Sequence, residues 1–237
     1  MRNAIFCSPA RMLLVIASVL ALTASASATF VTWELNPKGL EQDVGSSSIT
    51  YDKFPEYTFS ASAWTVNSSG DTPLGLYFKN QGFDETGLGI VGPASHELQG
   101  SGGMPFQYIQ FDLGVLLGTG KVIGGALQIG SVQSDSNDTF TLYGSKTAGQ
   151  LGTQIGGTYD SDSDLIFVNI PDWGTYRYIS IGALSGDVLP VAFQANCVPE
   201  MSALYPILAL LVAISLTRLL HRRPGMKLRA HEAQATD

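Results

Sequence analysis

Thr139-Phe140-Thr141-Leu142-Tyr143-Gly144-Ser145 alternates apolar and small polar side chains with a period of two. Successive side chains of a strand point to opposite faces, so Phe140 and Leu142 share one face while Thr139 and Thr141 share the other. An amphipathic helix needs apolar recurrence at three and four residues, which this stretch lacks. Runs of the same character lie on both sides: Phe30 to Leu35, Ile49 to Tyr51, Tyr57 to Trp64, Leu74 to Lys79, Phe106 to Leu113, Ala126 to Val132, Leu165 to Ile170, Tyr178 to Gly182 and Val188 to Phe193. Turn clusters such as Asn67-Ser68-Ser69-Gly70-Asp71 and Ser134-Asp135-Ser136-Asn137-Asp138 separate them. Many short strands joined by polar turns predict an all-β protein, and the expected layering is a two-sheet β-sandwich.

The two ends read differently. Arg2 and Arg11 precede an apolar run from Met12 to Leu22, followed by Ala24-Ser25-Ala26-Ser27-Ala28. A charged segment, an apolar segment and small residues at a cut site make a secretory signal peptide, the N-terminal helix of the precursor. Cleavage after Ala26 or Ala28 fits the small-residue rule, and the second leaves Thr29 as the new N-terminus. Cys7 leaves with the peptide.

At the other end, Val198-Pro199-Glu200-Met201-Ser202 precedes an apolar run that begins at Ala203 and meets no charge before Arg218. Pro199 lacks an amide donor and holds Val198 extended, which marks a start for the helix beyond it. The run is apolar all round, as lipid requires. Counted over 203–220 it has roughly 18 residues, at the short end of the ~17–25 that span a bilayer, with Arg218 snorkelling. Arg222 and Arg223 then belong on the cytoplasmic side. The expected organisation is a signal peptide over 1–28, a β-sandwich ectodomain over 29–194, a linker over 195–202, a transmembrane helix over 203–220 and a basic cytoplasmic tail over 221–237.

Between the flanks lie roughly 170 residues, one domain's worth of chain and enough to bury a core. Only Cys197 remains in it, so an internal disulfide is ruled out and the thiol reads as a linker residue beside the membrane. The region carries six basic residues against 17 acidic ones, a net charge of −11. Nucleic acid is therefore not an expected partner, because phosphate binding needs a basic footprint.

A Pro-Glu signature, then a short apolar helix, then arginines at the C-terminal end resembles the PEP-CTERM sorting signal of Gram-negative bacteria. The family's Pro-Glu-Pro falls on Pro199, Glu200 and Met201, with methionine in place of the second proline, and a tail from Pro224 to Asp237 runs on past the arginines. The resemblance implies Val198, Pro199, Glu200, Arg222 and Arg223 as the sorting and processing signal, read and cut by an exosortase-type membrane peptidase. It also implies export through the Sec translocon and signal peptidase. The precursor is then held in the inner membrane and delivered to a cell surface or exopolysaccharide-rich matrix. An uncleaved single-pass anchor is the alternative reading of the same residues.

The middle of the chain is similar to discoidin-like, galactose-binding-type jelly rolls. The similarity is carried by Tyr108 to Gly114, Gly125 to Gly130, Phe140 to Ser145 and Tyr176 to Ile181, and it implies a jelly-roll strand order. Leu76 to Asn80 and Asp84 to Ile90, with His96-Glu97 after them, are also similar to a recurrent stretch of PEP-CTERM ectodomains, to which no enzymatic role attaches.

Asp84, Glu85, Glu97 and Asp112 are carboxylates in or beside loops, and hard oxygen ligands of this kind suit Ca²⁺, with carbonyls of the glycine-rich stretch from Gly82 to Gly92 as further donors. The alternative is ordinary solvated turns. Asp160-Ser161-Asp162-Ser163-Asp164 copies alternate-position ligands but lacks the glycine and distal glutamate of an EF-hand. His96 is the one histidine between the flanking segments, and no Gly-x-Ser-x-Gly elbow is present. Asp84 and Glu85 could form the carboxylate pair of a polysaccharide hydrolase, but neighbours on a strand face opposite ways. No enzyme is expected. Of the aromatic residues, Trp33, Trp64 and Tyr77 belong to expected strands and to the core. Trp173 and Tyr176, in the turn from Pro171 to Tyr176, are the candidate platform for stacking on a sugar, with burial as the alternative. The functional expectation is an exported, non-catalytic surface or matrix protein, with a lectin-like glycan-binding module, dependent on Ca²⁺ or not, as the alternative.

Overall fold

The computed structural model describes residues 29–53, 56–82, 85–132, 137–160 and 165–198, together with Ile207, Leu210, Leu211, Val212, Ile214 and Ser215. Ala26, Ala28, Asp84, Pro199, Glu200, Arg222 and Arg223 lie outside them, as does most of the apolar run over 203–220. The six described residues of that run are helical. Among the described residues no helix is long and apolar enough to cross a membrane.

The domain is built of antiparallel β-structure. In chain order the strands are β1 (Thr29–Glu34), β2 (Gln42–Asp43), β3 (Ser48–Asp52), β4 (Thr58–Thr65), β5 (Thr72–Leu74), β6 (Leu76–Asn80), β7 (Thr86–Ile90), β8 (Leu98–Ser101), β9 (Met104–Pro105) and β10 (Gln107–Asp112). One helical turn follows, α1 (Gly114–Gly118), and then β11 (Val122–Gly130), β12 (Thr139–Ser145), β13 (Thr153–Asp160), β14 (Ile166–Asn169) and β15 (Tyr178–Cys197).

The twenty-residue β15 organises the rest. Its first part, Tyr178 to Ser185, lies between β10 and β12, in a row that runs β13, β12, β15, β10, β4, β3 with β5 added to β4. Its last part, Leu189 to Cys197, lies between β1 and β11, with β14 outside β11. Its middle, Gly186 to Val188, pairs with β8. Two runs were expected here, over Tyr178–Gly182 and Val188–Phe193. They are one strand because Gly186 takes a left-handed φ of 66° that lets the ladder bend without ending. The Asp138 carboxylate lies against that bend and accepts from the Asp187 amide at 3.3 Å. Pro190, which cannot donate to a ladder, coincides with a register shift against Gln128 and Ile129 of β11.

The expected run from Leu74 to Lys79 is instead broken at Gly75. A Cβ there would press on the Val91 side chain, and the halves go to different partners, β5 to β4 and β6 to β7. β2, β6 and β7 form a separate three-stranded sheet. Alternation in Thr139–Ser145 is present as expected, but β12 is covered on both faces. Thr141 is fully buried and donates its hydroxyl to the Gly157 carbonyl at 2.8 Å across a register shift in β13. A polar residue thus reaches the interior with its hydrogen bond made.

The core gathers aromatic rings from strands far apart in sequence. Phe59 of β4 meets Trp33 of β1 at 5.3 Å edge-on and Tyr51 of β3 at 5.0 Å stacked, and Phe111 of β10 stacks on Phe193 of β15 at 6.3 Å. The buried Tyr51 hydroxyl donates to the Leu35 carbonyl at 2.7 Å.

The linker expected over 195–202 begins later than that. Ala195, Asn196 and Cys197 are strand residues of β15, and the Cys197 side chain is buried. Val198 is still held by its amide to the Lys121 carbonyl at 2.7 Å. Apolar Ala195 and Cys197 sit at alternate positions and face inward, which a count of linker residues from Pro199 backwards does not register.

Candidate functional site

The expected carboxylates divide between two places. Lys79, near the end of β6, is buried, with its ammonium Nζ 2.7 Å from Glu97 Oε1 and 2.8 Å from Glu85 Oε2. Glu85 arrives from the β6–β7 hairpin, whose register sets Lys79 opposite Gly87, and Glu97 arrives from the turn before β8. The backbone of Lys79 is fixed as well. The buried Asn36 side chain donates to its carbonyl at 2.9 Å, while joining both ends of its own turn through the Leu40 amide and carbonyl. Burial pushes the Glu97 carboxyl up, against Lys79 and the Ser131 hydroxyl, which pull the other way. Burial disfavours the Lys79 ammonium, but its two carboxylate partners outweigh that and hold it charged.

Asp112 lies elsewhere, at the end of β10. It accepts from Arg177 in a fork, Nε to Oδ1 at 2.8 Å and Nη2 to Oδ2 at 2.7 Å, and also takes the Gly114 amide at 2.9 Å. Burial alone would raise its pKa, but Arg177 and the Gly114 amide more than reverse that, so it lies below the ordinary carboxylate value. Asp112 therefore does not join Glu85 and Glu97, whose charge is met by a lysine. Among the described residues no group of three His, Cys, Asp or Glu side chains could hold a metal ion.

His96 is half-buried in a left-handed conformation, φ 57°, and stacks on Tyr77 with centroids 3.7 Å apart. Tyr77 and Trp64 are only half-buried, rather than core as expected. Trp64 stands over Gly149 and donates to Ser62 at 2.9 Å. Trp33 alone of the three is in the core.

Trp173 and Tyr176 are half-buried in the turn that leads to β15. Each owes its place to a glycine. Trp173 covers Gly125, where a Cβ would run into indole Cζ3 and Cη2, and Tyr176 covers Gly144 in the same way. The indole Nε1 donates to the Val122 carbonyl at 3.2 Å. Beside Trp173 opens a surface groove of about 210 Å³ on the outer face of β11, β15 and β1. Phe30, Ile123 and Trp173 supply apolar walls and Asn169, Gln194 and Asn196 supply amides. Phe30 and Ile123 are more than half exposed.

Sequence reasoning named Glu85, Glu97 and Trp173 but missed Lys79 and the amide residues that give each site its chemistry. A lysine in the apolar run Leu76 to Asn80 was the available signal. The amides had none, since β1, β11 and β15 meet only through long-range pairing. No protein-family model, no curated protein and no solved structure matches this chain.

Proposed function

We propose that this chain is an exported, non-catalytic surface or matrix protein. Its β-sandwich ectodomain, of jelly-roll type, is delivered by a signal peptide and sorted through a PEP-CTERM-type segment with a transmembrane helix. The observation that supports this reading best is the pairing of Thr29 with Cys197. Thr29, the first expected mature residue, lies opposite Cys197, two residues before Pro199, so the expected mature N-terminus and the segment leading to the sorting signature run side by side in one ladder. Intact-mass measurement of the protein exported by an exosortase-bearing host tests it. The expected product lacks residues 1–28 and everything beyond about Pro199 or Glu200, and Pro199→Ala and Glu200→Ala accumulate the longer form in the inner membrane. An exported product with its C-terminus intact would overturn the sorting route.

The groove beside Trp173 favours a second reading, a glycan-binding module. An indole offers apolar surface to a sugar ring and neighbouring amides can donate to and accept from its hydroxyls. The groove is smaller than the ~300–1,000 Å³ of drug-sized pockets, which suits a single ring or chain end. A glycan array probed with the mature chain, with and without chelator, decides this. The expected result is binding that Trp173→Ala abolishes, with the chelator arm reporting on Ca²⁺, and no binding to any glycan would dismiss the reading.

A further inference from the structure

Lys79 and Glu97 place an amine and a carboxyl in contact where water scarcely reaches. The two side chains are each only 4% exposed, and Nζ to Oε1 is 2.7 Å. A nitrogen bonded this closely to one carboxyl oxygen has the carboxyl carbon at about 3–3.5 Å, the range in which reacting atoms are poised. A third group touches the same nitrogen from another side, Glu85 Oε2 at 2.8 Å, and it keeps 26% of its side chain exposed. We propose that Lys79 and Glu97 condense to an intramolecular amide, with Glu85 as the proton carrier.

The physical argument is that burial favours the neutral form of the Glu97 carboxyl, while the Lys79 ammonium, held charged by its two carboxylate partners, keeps Glu85 beside it as the acceptor for the proton it must lose. In bulk water an amine and a carboxyl stay apart as ions, because both are well solvated and water is in large excess. Buried ions lose that solvation. The Glu97 carboxyl is pushed towards its protonated form, while the more exposed Glu85 remains the natural partner of the ammonium. Glu85 takes one proton from Nζ and frees its lone pair. Nζ attacks Cδ of the protonated Glu97 carboxyl, forming the C–N bond. The C–O bond to the hydroxyl breaks, and a second Nζ proton leaves with that hydroxyl as water. One hydrogen stays on the amide nitrogen, Glu85 ends protonated and returns its proton to solvent, and no outside reagent is consumed.

The bond would close an 18-residue interval between β6 and the turn before β8. It would tie the β2–β6–β7 sheet to the ladder built on β15, since β8 pairs with Gly186 to Val188. With Cys197 as the one thiol past residue 28, the domain has no internal disulfide to do this.

Tryptic mass mapping of the exported wild-type protein tests the proposal without any variant. Trypsin cannot cut after an acylated lysine, and the neighbouring lysines are Lys53 and Lys121. The expected product is one peptide over 54–121, lighter than its sequence mass by one water. A missed cut at Lys79 leaves the full mass and is thereby distinguished. Recovery of separate peptides 54–79 and 80–121, or of 54–121 at full mass, overturns the amide. Lys79→Arg removes the nucleophile and restores the cut, giving separate peptides 54–79 and 80–121 at their sequence masses. Glu85→Gln keeps the shape but not the proton carrier and should slow condensation by at least tenfold during refolding, whereas an unchanged rate would overturn the role of Glu85. Glu97→Gln can yield the same amide with ammonia as co-product, so its peptide should be lighter by ammonia relative to the variant sequence.

Discussion

Phe59 of β4 and Phe193 of β15 lie with ring centroids 4.7 Å apart at an angle of 45°. Phe59 belongs to the row of strands on the first part of β15, and Phe193 pairs with Trp33 of β1 and Leu127 of β11 on the last part. The contact is one place where the two ends of the longest strand share a core. Phe193→Ala removes a fully buried ring from that junction and should cost about 3–5 kcal/mol. Chemical denaturation checks this through the midpoint, with an unchanged slope. A loss below about 1 kcal/mol would mean that the two parts of β15 do not share one core.

Gly125 beneath Trp173 is the second position where a small change should have a large effect. Gly125→Ala forces the indole off β11, and overpacking of this kind costs roughly 1–3 kcal/mol. The indole N–H resonance of Trp173 should shift as its bond to the Val122 carbonyl is lost. Gly124→Ala is the control, because the nearest atom to its Cβ is Asn196 Cβ at 3.7 Å, an ordinary contact.

Asp112 makes an acid-sensitive contribution. Its folded pKa is below the ordinary value, so the folded state prefers the carboxylate, and the contribution is complete above the unfolded value of about 4. It fades as pH falls through the lower folded value. The Arg177 side chain is 56% exposed, so screening limits the pair to about 1 kcal/mol or less. Asp112→Asn should be less stable than wild type by that amount at neutral pH, and the gap should close in acid. Stability measured against pH for both proteins checks the sign.

Cys197 should be chemically quiet while the domain is folded. Burial pushes its thiol up, and the Tyr57 contact that pulls it down does not compensate. The side chain is 3% exposed at the end of β15. A thiol reagent should label it only after unfolding, and prompt labelling of the native protein would show that the last residues of β15 are open.

Much of the strand content was legible because short β-branched and aromatic runs bounded by polar turns mark strands, buried on one face or on both. Thr139–Ser145 coincides with β12, and the Phe106–Leu113 run contains β10. Other strands were not legible. β7, Thr-Gly-Leu-Gly-Ile, and β13, Thr-Gln-Ile-Gly-Gly-Thr-Tyr-Asp, are rich in glycine, and in β7 the glycines allow close approach by other backbone. At Gly89 a Cβ would collide with the His96 carbonyl, so what looks like a weak strand is a fitted one. Glycine is common in turns and in such fitted strands alike, and local sequence cannot tell the two apart. At the sites, Glu85 and Glu97 were visible as carboxylates near loops, but their meeting on Lys79 needs the β6–β7 hairpin and the turn at His96 together.

The sequence by itself determined the alternation that makes strands, the acidic balance of 17 carboxylates against six basic residues over 29–197, and the single cysteine past residue 28. These are local or compositional quantities, and no folding is needed to read them. Tertiary structure alone decided that Tyr178–Cys197 is one strand serving two groups of partners, that Cys197 is interior, and that Lys79 is buried between two carboxylates. Each of these depends on residues 18 or more positions apart, as with Lys79 and Glu97, or on first and last strands meeting, as with Thr29 and Cys197. Such contacts arise when burial of apolar faces offsets the entropy of closing long loops, a balance set by the whole chain rather than by any window of it.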